Sequence, residues 1–339
     1  MIKTRIVRKK IKKKRRILRT FLLTMFLVLI GGFGYYAYDI YNSSSKATNK
    51  IFHEYIPQHR ETEVQVSKEP FTVLLAGIEN QEGGRGRADV LMLATVNPET
   101  EQVVMMSIPR DSRVFLPDEG YKSKINHSYA FGGIEGTIST VEEMMGVPID
   151  YFITTNFEGF EDIVDTLGGV KVDVPFTFTA TLTHSHKFKK FYEGPMELNG
   201  NEALAYVRMR KKDPKGDIGR NERQQQVLKA IVDKGTSFGT ITKIDDLMED
   251  LGENVKTNIR PTKMVDFIRV YSKIKASPIE NLHLEGETDR IERVDYFLPS
   301  DESIEKNKDI MNRILDGEKV DINKELNEEE EESDVSATE

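Results

Sequence analysis

The chain has 339 residues, 38% of them hydrophobic and 31% charged, with a formal net charge of −8 and no cysteine. The missing cysteine excludes disulfides, thiolate catalysis and Cys-based zinc or iron–sulfur sites, while the length admits one large domain or two smaller ones. The charge is uneven: residues 1–19 hold eleven Lys or Arg and no acid, so −8 divides into +11 there and −19 over the other 320 residues.

From the N-terminus, residues 1–16 form a basic segment. "ILRTFLLTMFLVLIGGFGYYAY", residues 17–38, is long enough to cross a bilayer as a helix, which takes about 20 apolar residues. Tyr35, Tyr36 and Tyr38 close it as an interfacial aromatic belt, and the basic flank orients the N-terminus to the cytoplasm. A cleaved signal peptide is the rival reading, but "YYAYDIYNSSS" makes a poor cleavage site. The expected layout is therefore one N-terminal transmembrane helix in the cell membrane with everything after it outside. Residues 39–69, polar and without a clear period, are expected to be an extracytoplasmic stalk, helical at most in part over 46–66. The domain is expected over 70–316, and residues 317–339 as an acidic disordered tail.

Within the domain, "FTVLLAGI" predicts a strand buried on both faces. "DVLMLATVNPETEQVVMMSIP" predicts two strands around the turn "NPET". Helices are expected near 133–146 and 157–167, with "DTLGGVKVDVP" turning into a strand. Residues 222–235, 242–252 and 261–275 also read as helical, and "IERVDYFLP" as a late strand. Strands alternating with helices predict an α/β class, a central mixed β-sheet flanked by helices.

Three stretches concentrate charge. In "GIENQEGGRGRADVLML", Glu79 leaves one strand and Asp89 enters the next, across a Gly-rich loop with Arg85 and Arg87. Two carboxylates there can share a divalent cation such as magnesium, which typically takes one or two; a hairpin with surface charges fits equally. The loop is not a Walker motif. In "SIPRDSRV", Arg110 and Asp111 follow an apolar strand directly, either facing a crevice or forming a structural ion pair.

The third stretch, "YVRMRKKDPKGDIGRNERQQ", packs seven Lys or Arg into twenty positions. "ALAYVRMR" reads as an extended segment with Arg208 and Arg210 on one face. "GRNERQQQVLKAIV" reads as a helix with Arg220 and Gln224 four apart at its first turn, continued by the packed face of Val227, Leu228 and Ile231. A helix N-terminus with arginines is an anion site, and arginine grips phosphate through a planar fork. Lys124 and His127 lie in "YKSKINHSYAFGGIEG"; a lone histidine more often makes a structural hydrogen bond. His184 and His186 in "LTHSHKFKKFY" lack a carboxylate to complete a metal site, so that segment reads as an exposed hairpin.

Taken in order, "LLAGIEN", "GRADVLML", "SIPRDS", "KINHSYAFGG", "DTLGGVKVDV", "ALAYVRMR" and "GDIGRNERQQ" resemble the LytR-CpsA-Psr family of cell-wall phosphotransferases, over roughly residues 71–235. The resemblance implies an α/β/α domain behind a membrane anchor. It implies an enzyme that moves a phosphorylated glycopolymer, such as wall teichoic acid, from an undecaprenyl pyrophosphate carrier to peptidoglycan. By resemblance, Arg110, Arg208, Arg210 and Arg220 hold the pyrophosphate, with Lys124 and Gln224 assisting. Glu79 and Asp89 bind magnesium (or manganese), and Arg87 and Asp217 match further polar positions of the site. The family more usually has Asp where this chain has the longer Glu79, and Ser where it has Ala88. Phosphoryl transfer needs positioning and charge neutralisation more than covalent help, which these residues supply; Asp111 and Asp217 are both candidates for the general base. Two other readings stand beside this one. A non-catalytic lipid-phosphate or glycan binder is one. A nucleic-acid binder is the other, but the expected anchor puts residues 1–19 and the arginine cluster on opposite sides of the membrane, so no nucleic-acid partner is expected.

Overall fold

At the centre is an antiparallel meander of three strands, β1 (Phe71–Ile78), β2 (Ala88–Asn97) and β3 (Gln102–Ile108). The computed structural model describes residues 51–57, 60, 63–79, 86–183, 185–210, 212–236, 252 and 254–325. The β2–β3 turn is built by Asn97, whose Oδ1 accepts from the backbone N–H of Glu99 (3.0 Å) and Thr100 (3.1 Å), the local hydrogen bonding for which Asn is favoured in turns. A hairpin follows, β4 (Arg113–Leu116) and β5 (Tyr121–Lys124), and then the helix α1 (His127–Met145).

Next come β6 (Tyr151–Thr155), α2 (Phe157–Thr166) and β7 (Val170–Val174), followed by β8 (Phe178–Thr181), β9 (Phe188–Phe191) and β10 (Gly194–Leu198). The helices α3 (Gly200–Arg208) and α4 (Asp217–Gly235) lead to β11 (Val255–Thr257), α5 (Pro261–Ile274) and β12 (Ile279–His283). The hairpin β13 (Gly286–Ile291)–β14 (Val294–Pro299) and the helix α6 (Asp301–Leu315) complete the order. The expected late strand "IERVDYFLP" is thus split: Ile291 ends β13, and Glu292 and Arg293 turn with positive φ before β14 begins.

The main sheet runs β11-β6-β1-β2-β3-β12, with β1–β6 and β3–β12 parallel and its other pairs antiparallel. It is the expected mixed sheet, and alternation assigns its two faces. Leu74, Ala76, Ile78, Leu91, Leu93, Val104 and Met106 pack against α1 and α6. On the opposite face, Phe71, Val96, Val103 and Tyr151 pack against Val270 and Ile274 of α5, while Met92, Ala94 and Met105 meet Leu228 of α4. A further cluster joins β7–β10 with α2, α3 and α4 around Phe178, Phe191 and Tyr206.

Three expectations need correction. "ALAYVRMR" is not a strand: residues 200–208 are α3, opened by a capping box in which Asn199 Oδ1 accepts from Glu202 N and Glu202 reaches back to the Asn199 N–H. That cap contributes about 1 kcal/mol, less than the roughly 1.5–3 kcal/mol from burying each large side chain. Packing decides: residues 203–207 are all buried, which erases the period that separates helix from strand. Second, the described part of the expected stalk packs on the domain. Ile51, Val64 and Val66 are buried, Phe52 bridges Thr257 of β11, and Arg60 Nε lies 2.6 Å from the buried carboxylate of Asp150. Third, residues 317–325 are part of the fold, not of an acidic tail. Val320 and Ile322 are buried, and the Gln102 amide bonds both the N–H (3.0 Å) and the carbonyl (2.6 Å) of Val320.

The anchor expected over 17–38 lies outside the described residues, as do most of the helix expected over 242–252 and residues 326–339. Among the described residues no helix is long and apolar enough to cross a membrane.

Candidate functional site

The ends of three strands are stitched together by backbone hydrogen bonds. Glu79 N donates to Arg87 O (3.0 Å), Ala88 N to Asn126 O (3.4 Å) and Asn126 N to Arg110 O (3.2 Å). Phe297 N of β14 donates to Asp111 O (3.0 Å). Between β1 and β2 the register slips: Gly77 pairs with Val90 and Ile78 with Ala88, leaving Asp89 as the extra residue of a β-bulge. A bulge re-aims the side chain it carries. Gly77 permits it, since a Cβ there would stand 3.1 Å from Val90 Cβ.

The stitched ends bring six sequence-predicted residues into one charged cluster. Arg110 Nη1 lies 3.0 Å from Asp89 Oδ1, and Arg110 Nε lies 3.7 Å from Asp111 Oδ2. Lys124 Nζ is 2.5 Å from Asp111 Oδ1 and 5.6 Å from the centre of the Tyr296 ring. Burial opposes the charge on Arg110, but Asp89, Asp111 and Glu79 together outweigh it and hold its pKa above the ordinary arginine value. His127 opens α1 with Nδ1 2.9 Å from Ser123 Oγ. Burial first, then Arg87 and Lys124, lower its pKa from the usual 6.5 against the pull of Asp111. This environment favours the neutral imidazole over the imidazolium.

A cation would rest on Glu79 and Asp89. No group of three or more His, Asp or Glu side chains suited to a metal occurs among the described residues. Two carboxylates would leave most positions of a hard ion such as magnesium to phosphate oxygens or water. Asp89 serves Arg110 at 3.0 Å in the present arrangement.

The second arm lies on α3 and α4. Arg208 ends α3, where a cation favours the helix dipole; its guanidinium lies 4.5 Å from the Phe157 ring centre, and Nη1 donates to Thr183 Oγ1 (3.3 Å). Met209 is extended and buried, with Arg208 and Arg210 exposed on either side of it. The pair is thus presented together, by a helix end rather than by a strand. On α4, Arg220, Gln224 and Leu228 form one i, i+4, i+8 stripe. Leu228 packs on Met92, Ala94 and Met105 of β2 and β3, the same buried group that Leu75, Val90 and Ile279 cover, which seats the arginine-bearing helix on that face of the sheet. Asp217 is the first residue of α4, and its side chain lies outside the described set.

Sequence reasoning missed Arg223. It is 2% exposed, and its Nε donates to Tyr206 O (3.1 Å), Nη2 to Met209 O and Nη1 to the equally buried Asp213 carboxylate. Any Cβ at Gly219 would collide with that carboxylate. Arg223 therefore ties the loop carrying Arg210 to both helices. Its position four residues before the buried Val227 was the available signal. His186 lies on the connection of the β8–β9 hairpin with φ 52°, in keeping with the hairpin reading; His184 falls outside the described residues.

The sequence pattern of the LytR_cpsA_psr family matches residues 35–313. The chain is 42% identical over 295 residues to the polyisoprenyl-teichoic acid–peptidoglycan teichoic acid transferase TagU of Bacillus subtilis (strain 168), covering 86% of this chain and 93% of that protein. The fold matches a crystal structure of Bacillus subtilis TagV with a TM-score of 0.65 and 40% identity, covering 74% of this chain and 98% of that one. A structure of TagT bound to LI-WTA matches with a TM-score of 0.62 and 32% identity, covering 76% and 96% of the two chains.

Two outcomes check this geometry. Arg223→Ala strands a buried carboxylate and is expected to destabilise the fold by about 3–5 kcal/mol in chemical denaturation; a change below about 1 kcal/mol contradicts the role of Arg223 as the tie. Because the fold lowers the His127 pKa, the unfolded chain binds more protons as pH falls through about 6.5, and stability drops with it. His127→Gln should flatten that slope, and an unchanged stability–pH profile would contradict the assignment.

Proposed function

Since the chain belongs to the LytR-CpsA-Psr family, we propose that it is a membrane-anchored phosphotransferase moving a phosphorylated glycopolymer, wall teichoic acid by default, from an undecaprenyl-pyrophosphate carrier to a peptidoglycan sugar hydroxyl. The observation that carries this reading is the cluster of Glu79, Asp89, Arg110, Asp111 and Lys124 at the sheet end, with the arginine-bearing α3–α4 arm seated beside it.

In this reaction the acceptor oxygen forms a bond to the phosphorus that carries the glycopolymer. The bond from that phosphorus to the bridging oxygen breaks, and the lipid monophosphate leaves. Arg110, Lys124, Arg208, Arg210 and Arg220, with Gln224, hold the pyrophosphate oxygens and stabilise the charge that spreads over them in the transition state. Arg87 adds positive charge beside Lys124 and His127. Bound at Glu79 and Asp89, magnesium or manganese would neutralise further phosphate charge and polarise the phosphoryl oxygens. Glu79 stands where the family more usually has Asp, and a Glu carboxylate can still serve as a magnesium ligand.

Asp111 pairs with both Lys124 and Arg110, which makes it a positioning group. Asp217, at the start of α4, is the other candidate to take the acceptor proton. Alternation puts Val73 and Leu75 on the sheet face where Val90, Leu228 and Ile279 are only partly buried. The polyprenyl chain is assigned to that apolar strip. The anchor over residues 17–38 holds the domain outside the cell membrane with the N-terminus in the cytoplasm.

The test is transfer from a lipid-pyrophosphate glycopolymer donor to peptidoglycan, with and without magnesium. Arg110→Ala and Arg220→Ala are expected to lose at least roughly a hundred-fold in rate while retaining the wild-type melting transition. Full activity in either variant defeats the site assignment; donor binding without any turnover by the wild type supports a non-catalytic binder instead.

A further inference from the structure

The β8–β9 hairpin carries exposed lysines that the proposed chemistry leaves unused. Its inner face is packed: Phe178 stacks on Phe191 and on Tyr206 (centroids 4.9 and 5.8 Å), and Lys189 is held by Glu202 at 2.5 Å. The outer face differs. Thr179 pairs with Lys190 and Thr181 with Phe188, so alternation turns Phe188, Lys190 and Tyr192 outward.

Phe188 is 80% exposed and Tyr192 58% exposed. Lys190 Nζ lies 4.9 Å from the Tyr192 ring centre, Lys187 is exposed beside Phe188, and Lys212 donates to Thr179 O (3.0 Å). The only acid immediately beside this face along the strand is the exposed Glu193. Two large rings standing among lysines match a bilayer's interfacial layer, where aromatic rings sit at headgroup depth and lysines meet anionic phosphates.

We propose that the outer face of β8–β9 docks on the anionic surface of the membrane that supplies the donor, with Phe188 and Tyr192 at headgroup depth and Lys187, Lys190 and Lys212 on lipid phosphates. The inference rests on Arg208 being a ligand of the lipid-linked pyrophosphate. Arg208 and the hairpin are physically joined, because Thr183 at the end of β8 accepts from Arg208 and donates its N–H to Asn201 Oδ1 (3.2 Å). A pyrophosphate whose lipid is embedded in the bilayer is presented at its surface, so the segment next to Arg208 has to approach that surface. Only residues 39–50 separate the expected anchor from the packed Ile51. Twelve residues span at most about 40 Å when fully extended, which keeps the domain within reach of the bilayer.

The chain contains no tryptophan, so Phe188→Trp in the full chain reports from that position alone. The full chain is reconstituted in nanodiscs whose scaffold protein lacks tryptophan, made of phosphatidylcholine with phosphatidylglycerol, with or without brominated acyl chains, and in neutral discs. A blue-shifted emission losing roughly half its intensity to brominated lipid is expected in anionic discs. Lys187→Gln, Lys190→Gln and Lys212→Gln together should abolish that loss. Water-like, unquenched emission in anionic discs overturns the proposal, as does a blue shift that needs added peptidoglycan strands and not lipid. Transfer measured on the same discs separates the two readings: turnover with an unquenched probe removes the docking alone, whereas quenching without turnover keeps the docking and removes the phosphotransferase reading.

Discussion

One guanidinium governs what the end of the sheet can bind. Arg110 stands between Asp89 and Asp111, with Glu79 close enough to add to its field. Around it, the acids Glu79, Asp89 and Asp111 face the cations Arg87, Arg110 and Lys124, so the cluster is close to neutral and has little net attraction for a doubly charged anion. Two sources of positive charge resolve this. In the proposed reaction, one would be a divalent cation at Glu79 and Asp89, which would free Arg110 for phosphate. The other is the arginine arm on α3 and α4, whose Leu228 packs on Met92, Ala94 and Met105 of the sheet. The need for both explains why the site spans two packing clusters and not a single loop.

The arginines divide into two kinds by burial. Arg223 is enclosed, with three hydrogen-bonded groups and rings of Phe178 and Tyr206 nearby. Desolvating it is costly, and the pairing with Asp213 offsets that cost only while both partners remain. Arg208 and Arg210 flank a buried methionine and stay exposed, so an incoming anion can reach them from solvent. The buried arginine holds the loop, and the exposed ones can then act at fixed positions. The same packing fixes the β8–β9 hairpin, through Tyr206 on its inner face and Arg208 at its end.

Much of this was legible in the residues. The β1–β3 meander follows from apolar runs and the "NPET" turn, and the α4 stripe follows from spacing alone. The charged residues of the first arm do meet at the sheet end. Other features could not be read locally. The bulge at Asp89 is a register slip between two strands, and register depends on pairing partners that no single segment specifies. "ALAYVRMR" folds as a helix because five consecutive residues are buried by different neighbours, which removes the period. Val320 and Ile322 were hidden inside an acidic run, yet their burial, the Gln102 amide and the pairing of Arg313 with Glu318 and Glu325 hold the segment back on the domain.

The central claim is that Glu79 and Asp89 hold a cation whose presence hands Arg110 to the pyrophosphate. Anomalous diffraction from crystals grown with manganese and a short-chain lipid pyrophosphate tests it directly. The account predicts one peak bridging Glu79 and Asp89, with Arg110 moved from Asp89 onto a phosphate oxygen. A metal peak elsewhere, or a bound pyrophosphate with the Arg110–Asp89 pair intact, would contradict it.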